Sequence, residues 1–105
     1  MRITISHNSS KAEVIKAVDR SFDDLFEGAP GLPVRLLVKQ RSWQGSVLTF
    51  SLTAKWGLLS TPIEGTVTVT DQDVTVDADL GLLRGLIPEK LAREVIGNRV
   101  KGLLR

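Results

Sequence analysis

Apolar and polar residues alternate with a spacing of two through the middle of the chain. Leu48, Phe50, Leu52, Ala54 and Trp56 share one parity; Thr49, Ser51, Thr53 and Lys55 share the other. Successive side chains of a strand point to opposite faces, so the pattern predicts a strand with one apolar and one hydroxyl-rich face. The next strand repeats it, with Ile63, Gly65, Val67 and Val69 inward and Glu64, Thr66, Thr68 and Thr70 outward. A turn at Asp71-Gln72-Asp73 leads to a third, in which Val74, Val76 and Ala78 alternate with Thr75, Asp77 and Asp79. Upstream, Val34 to Lys39 is a less regular strand, followed by a polar connection from Gln40 to Ser46 with Gly45 as its turn residue. One-sided alternation points to antiparallel pairing, because parallel strands buried on both faces read as continuous apolar runs.

The flanking segments change period. Arg2 to Ser6 is a short first strand with Ile3 and Ile5 on one face. Ser10, with Glu13 three residues on, is a capping-box pattern that opens a helix. Val14, Ile15, Val18, Phe22, Leu25 and Phe26 follow at spacings of three and four and form one stripe, with Asp19, Arg20, Asp23 and Asp24 opposite. Gly28 suits a left-handed C-terminal cap, and Pro30 and Pro33 stop the helix. After the strands comes the apolar loop Leu80 to Pro88, with Pro88 suited to the first position of a second helix. That helix carries Leu91, Val95, Ile96, Val100, Leu103 and Leu104 on one stripe. Gly97 and Gly102 weaken it by about 1 kcal/mol each relative to alanine, so docking must hold it.

The order is β-α-β-β-β-β-α, and the fold class is α+β: an antiparallel meander whose apolar face is covered by two helices. The C-terminal helix is expected to lie across the sheet, similar to a reduced helix-grip fold. At 105 residues the chain is a single domain, 1–105, large enough to bury roughly two-thirds of its unfolded surface. Cysteine is absent, which removes disulfides, thiolate catalysis and Cys-based zinc sites and fits a reducing compartment. No apolar run has signal-peptide or membrane-spanning character, so a soluble, cytoplasmic protein is expected. Net charge is only +2, but it is unevenly placed: residues 1–83 carry 8 basic and 10 acidic side chains, residues 84–105 carry 6 and 2.

Candidate chemistry is sparse. His7, the one histidine, stands between strand and helix cap without a sequence partner for acid–base work, and reads as structural. Asp71, Asp73, Asp77 and Asp79 match no calcium-loop spacing and read as turn chemistry and a solvated face. The basic terminal helix lacks a nucleic-acid motif and aromatic interleaving, so no nucleic-acid partner is expected. Trp43 is either a local packing anchor or a partner contact. In an antiparallel meander, loops 55–61 and 80–87 emerge at the same end. They bring together Leu58, Leu59, Leu82, Leu83, Leu86 and Ile87 with Arg84 nearby. These leucines form either a contact surface or a plug for the open end of the core. Trp56 continues the inward face and is assigned to the core.

Several segments together resemble a known family. Met1-Arg-Ile-Thr-Ile-Ser-His7, Val18-Asp-Arg-Ser-Phe22 and above all Ser42-Trp-Gln-Gly-Ser46 followed by Leu48-Thr-Phe-Ser-Leu-Thr-Ala54 are similar to the polyhydroxyalkanoic acid system family. Ile63-Glu-Gly-Thr66, Asp77-Ala-Asp-Leu-Gly-Leu-Leu83 and Gly102-Leu-Leu104 extend the likeness over nearly the whole chain. The resemblance implies a small bacterial protein associated with polyhydroxyalkanoate storage granules, and it brings no catalytic residue or cofactor with it. The expected function is a non-enzymatic accessory protein acting at the granule surface or on granule proteins, with leucine-rich loops suited to peripheral attachment. The alternative is a small carrier of an apolar ligand, lipid or acyl, in a cavity between sheet and C-terminal helix, where Gly65 and Gly81 leave room. An enzyme is disfavoured by the lack of cysteine, tyrosine, a second histidine and any nucleophile-elbow glycine pattern.

Overall fold

A computed structural model describes residues 1–26, 35–79 and 88–104. The elements run β1 (Arg2–Ser6), α1 (Lys11–Phe26), β2 (Arg35–Gln44), β3 (Val47–Trp56), β4 (Leu59–Val69), β5 (Asp73–Asp79) and α2 (Glu89–Leu103), in the expected α+β order. The sheet is antiparallel throughout, but it has five strands rather than the four of the meander alone. β1 closes it at the edge beyond β5, in the order β1-β5-β4-β3-β2. Ile3 lies opposite Val76 and Ile5 opposite Val74, so the first strand extends the same apolar face.

Both hairpins around β3 are tighter than the polar spacing suggested. β2 does not stop at Lys39; it continues to Gln44, and Gly45-Ser46 make a two-residue turn. Gly57-Leu58 do the same between β3 and β4. In each pair only the first residue has positive φ, 61° at Gly45 and 59° at Gly57, the pattern of a type II′ turn that matches strand twist. The irregularity of β2 has one cause. Val38 pairs with Leu52 and Gln40 with Ser51, so Lys39 is an extra residue, a β-bulge. The bulge reverses parity: Leu36 and Val38 face inward before it, Arg41 and Trp43 after it.

Both helices pack on the apolar face, and their buried residues form one cluster with Ile3, Leu36, Leu48, Phe50, Leu52, Ile63, Val67, Val69, Val74 and Val76. The C-terminal helix does not take the sheet alone. It lies against β1 and α1, while α1 covers β2 and β4. This two-helix cover is compatible with a reduced helix-grip arrangement. α1 begins as expected, with the Glu13 amide donating to Ser10 Oγ at 3.2 Å. The expected cap at Gly28 and the side chains of Leu25 and Phe26 lie outside the described residues. Pro88 is the N-cap residue of α2 rather than its first helical residue, and its carbonyl accepts from the Ala92 amide at 3.1 Å. In α2 the most buried positions are Ala92, Ile96, Gly97 and Val100. Leu91, Val95, Leu103 and Leu104 are only partly buried, because the helix meets a sheet edge and another helix rather than a broad face.

Four groups stacked from the sheet outward fix the seat of α1. Phe50 and Gly65 are cross-strand partners, and the Phe50 ring lies where a Gly65 side chain would start. Phe22 of α1 meets that ring with centroids 5.2 Å apart at 59°. Arg41 in turn lies over Phe22, 5.6 Å from its centroid, and donates to the Asp19 carbonyl at 3.0 Å. Trp43 adds a second clamp, its Nε1–H donating to Asp19 Oδ1 at 3.0 Å. Of the two sequence readings of Trp43, the packing anchor is the one observed.

His7 is similarly committed. It is only 8 % exposed, and its backbone N–H donates to the Gln72 carbonyl at 2.9 Å. Its Nε2 stands 2.8 Å from the Thr70 carbonyl oxygen and therefore carries the proton, while Nδ1 accepts from the Ser9 amide at 3.2 Å. The ring joins the β1–α1 connection to the β4–β5 turn.

Two glycines respond oppositely to alanine. A Cβ on Gly65 would sit 2.5 Å from the Asp77 carbonyl oxygen and 2.7 Å from Phe50 Cζ, so Gly65→Ala should cost about 2–3 kcal/mol. A Cβ on Gly97 would meet Ile3 Cγ2 at 3.8 Å, an ordinary contact, so Gly97→Ala should stabilise by about 0.5–1 kcal/mol. Urea unfolding midpoints at unchanged slope check both signs. In the same assay His7→Ala should cost about 1–2 kcal/mol, from the loss of bonds that tie two connections together.

Candidate functional site

The strand ends decide what is exposed. β5 ends at Asp79, whose partner on β4 is Glu64. β4 therefore extends past β5 through the five residues Leu59–Ile63, about 16 Å of strand. β3 accompanies it to Trp56 and β2 begins at Arg35, opposite Lys55. The result is a projecting β3–β4 hairpin flanked on one side by the start of β2. Loop 55–61 is thus not a loop; it is strand on either side of the two-residue turn.

Along β3 the inward residues Leu48, Phe50, Leu52 and Ala54 are buried, and the series stops there. Trp56, assigned to the core from its parity, is 44 % exposed, and its cross-strand partner Leu59 is 63 % exposed. The parity was right and the burial wrong: both side chains lie on the apolar face, where the hairpin has run beyond β5 and beyond the buried part of the strand. Leu58, at the second turn position, is fully exposed. Three large apolar side chains therefore crowd the tip of one hairpin. Leu58 and Leu59 are exposed and do not plug the end of the core. Leu82, Leu83, Arg84, Leu86 and Ile87, expected beside them, lie outside the described residues.

The opposite face of the sheet is a broad open hollow of about 920 Å³, bordered by Gln40, Ser51, Glu64, Thr66, Asp77 and Asp79. One of its carboxylates, Asp77, is tied to the fold. Arg2 bridges to Asp77 Oδ2 at 2.9 Å. At the β4–β5 turn, Thr70 Oγ1 donates to Asp73 Oδ1 at 2.9 Å and accepts from the Asp73 amide at the same distance. Asp71 is exposed on that turn, and no cluster of metal-ligating side chains occurs among the described residues. On α2, Arg93 pairs with Glu89 one turn earlier at 3.4 Å, as on an ordinary solvated helix face.

Sequence reasoning missed the pairing of Arg35 with Lys55 beside the apolar tip. The signal was present, since residues 35–63 contain no acidic side chain, but the bulge at Lys39 obscured the register that aligns the two. The room foreseen at Gly65 for an apolar ligand is occupied by Phe50; that foreseen at Gly81 lies outside the described residues. No described helix is long and apolar enough to cross a membrane.

Neither a curated protein nor a solved structure matches the chain. A family model does, over residues 1–103, and its description is "Putative polyhydroxyalkanoic acid system protein". That match spans every described element, including the hairpin tip and both clamps on α1. The chain belongs to the polyhydroxyalkanoic acid system family.

Proposed function

We propose that the protein is a non-enzymatic accessory factor of polyhydroxyalkanoate granule metabolism that attaches at the granule surface, directly or through granule proteins, in the bacterial cytoplasm. The observation that carries this reading is the β3–β4 hairpin tip, where Trp56, Leu58 and Leu59 stand in solvent at the end of a strand pair that outruns its neighbours. Exposing large apolar side chains together has no folding benefit, and such patches serve as contact sites. A polyester surface is apolar, so burial of two leucines and a tryptophan against it supplies a driving force proportional to the area covered. The projection matters as much as the composition. A tip held away from the core reaches a broad surface without the core having to open.

The apolar-ligand carrier gains no support, because the Phe50 ring takes the space beside Gly65 that a ligand would need. Catalysis has no place in the reading: His7 is spent on holding two connections, Asp73 serves the β4–β5 turn and Asp77 a cross-strand bridge.

The test is co-sedimentation of the purified full chain with polyhydroxyalkanoate granules, comparing wild type with Leu58→Ser/Leu59→Ser. Both positions are exposed, so the variant should keep wild-type stability while its apparent affinity falls about tenfold or more. Wild-type protein that stays in the supernatant, or a folded variant that pellets as well as wild type, would overturn the assignment of the tip.

A further inference from the structure

The hairpin tip carries a feature that apolar attachment leaves unused. Arg35 on β2 and Lys55 on β3 are directly opposed partners, and both are exposed. Like charges facing each other across an antiparallel pair are destabilising, so the fold gains nothing from this placement. Acidic residues are also absent from this part of the sequence. Residues 35–63 hold four basic side chains, Arg35, Lys39, Arg41 and Lys55, and no acidic one. Arg41 is engaged by Phe22, the Asp19 carbonyl and Asp23, whereas the other three are exposed without such partners among the described residues. Among the described residues, none forms an ion pair with Arg35, Lys39 or Lys55.

The arrangement is layered along the hairpin. At the apex stands Leu58, then the opposed pair Trp56 and Leu59, and one residue farther back, on the other face, Lys55 with Arg35 beside it. The apex is also convex: Leu58 is fully exposed, and a Cβ added at Gly57 would meet nothing within 4 Å. A rigid protein partner would need a matching cavity, whereas a fluid amphiphile layer deforms around such a tip. A neutral polyester offers nothing to the cationic pair. A lipid layer with anionic headgroups satisfies every tier: acyl chains for the leucines, the interfacial zone for the indole, and headgroups for the cations.

We infer that the β3–β4 tip docks on an anionic lipid layer, with Arg35 and Lys55 reading the headgroup charge. This rests on the assignment of the tip as the contact surface and adds the chemistry of what it contacts.

The experiment is vesicle flotation of the full chain on phosphatidylcholine alone and on phosphatidylcholine mixed with phosphatidylglycerol, alongside granule co-sedimentation. Emission of Trp56 in a Trp43→Phe background reports insertion. Wild type should float with the anionic vesicles, shift its emission to the blue, and lose binding in high salt. Binding to neutral vesicles should be much weaker. Arg35→Gln and Lys55→Gln should each weaken anionic-vesicle binding about fivefold. Equal partition onto both vesicle types, or undiminished binding by the double glutamine variant, would overturn the inference. So would absence from both vesicle types; if granule binding persisted, the granule-contact reading would stand alone. Loss of both vesicle and granule binding would remove both.

Discussion

The packing of Phe50 onto Gly65 is the constraint on which the rest of the molecule depends. A side chain at position 65 would collide with the Asp77 carbonyl of the next strand as well as with the ring, so the site admits only hydrogen. The missing side chain lets the Phe50 ring lie close to the sheet, and the ring then presents a surface for Phe22. The height of α1 above the strands follows from that contact. Arg41 and Trp43 set its position along the sheet by holding Asp19 from the β2 side. With α1 fixed over β2 and β4, α2 is left the β1 side, where Gly97 faces Ile3.

The Lys39 bulge is what makes those clamps available. In a strand of unbroken alternation, Leu36 and Val38 inward would place residue 40 inward and turn Arg41 and Trp43 to solvent. One extra residue reverses that. The cost is a disrupted ladder at an edge strand, where an irregular, charged position also discourages pairing with another chain. A single insertion thereby carries the polar half of β2 onto the apolar face, and the polar atoms it brings find partners on α1: a main-chain carbonyl and a carboxylate.

This explains which parts of the fold were legible in the sequence. Period-two alternation placed β3, β4 and β5 and their inward residues, because those strands are regular and covered on one face only. The order of elements and the capping serine of α1 were legible for similarly local reasons. The end of β2 was not, since a bulge looks like loss of pattern when no partner strand is in view. Trp56 fails differently: parity reports which face a residue occupies, not whether anything covers that face. The missing information was strand length, for the comparison of β4 with β5 needs the register of Glu64 against Asp79. Leu58 and Leu59 were legible as candidates from composition, but their exposure follows from the turn position and the overhang.

The overhang also separates the two demands on the chain. The core closes at Ala54 and Ile63, both buried, and among the described residues nothing that sets the seat of α1 lies beyond them. The hairpin past that line contributes backbone pairing to β2, β3 and β4 but not to the apolar core at its apex. Its apolar tip and cationic flank are thus free to be shaped by what they touch, without disturbing Phe50, Phe22 or Arg41. The type II′ turn keeps the tip narrow, since two residues close it and Gly57 alone takes the positive φ. A narrow, rigid, amphipathic projection can meet a surface without reorganising and so loses little conformational entropy on contact. A long flexible leucine-rich loop of the same composition would have to be ordered first. The register of the sheet, more than the leucines themselves, is therefore what turns an apolar sequence into an exposed, projecting one.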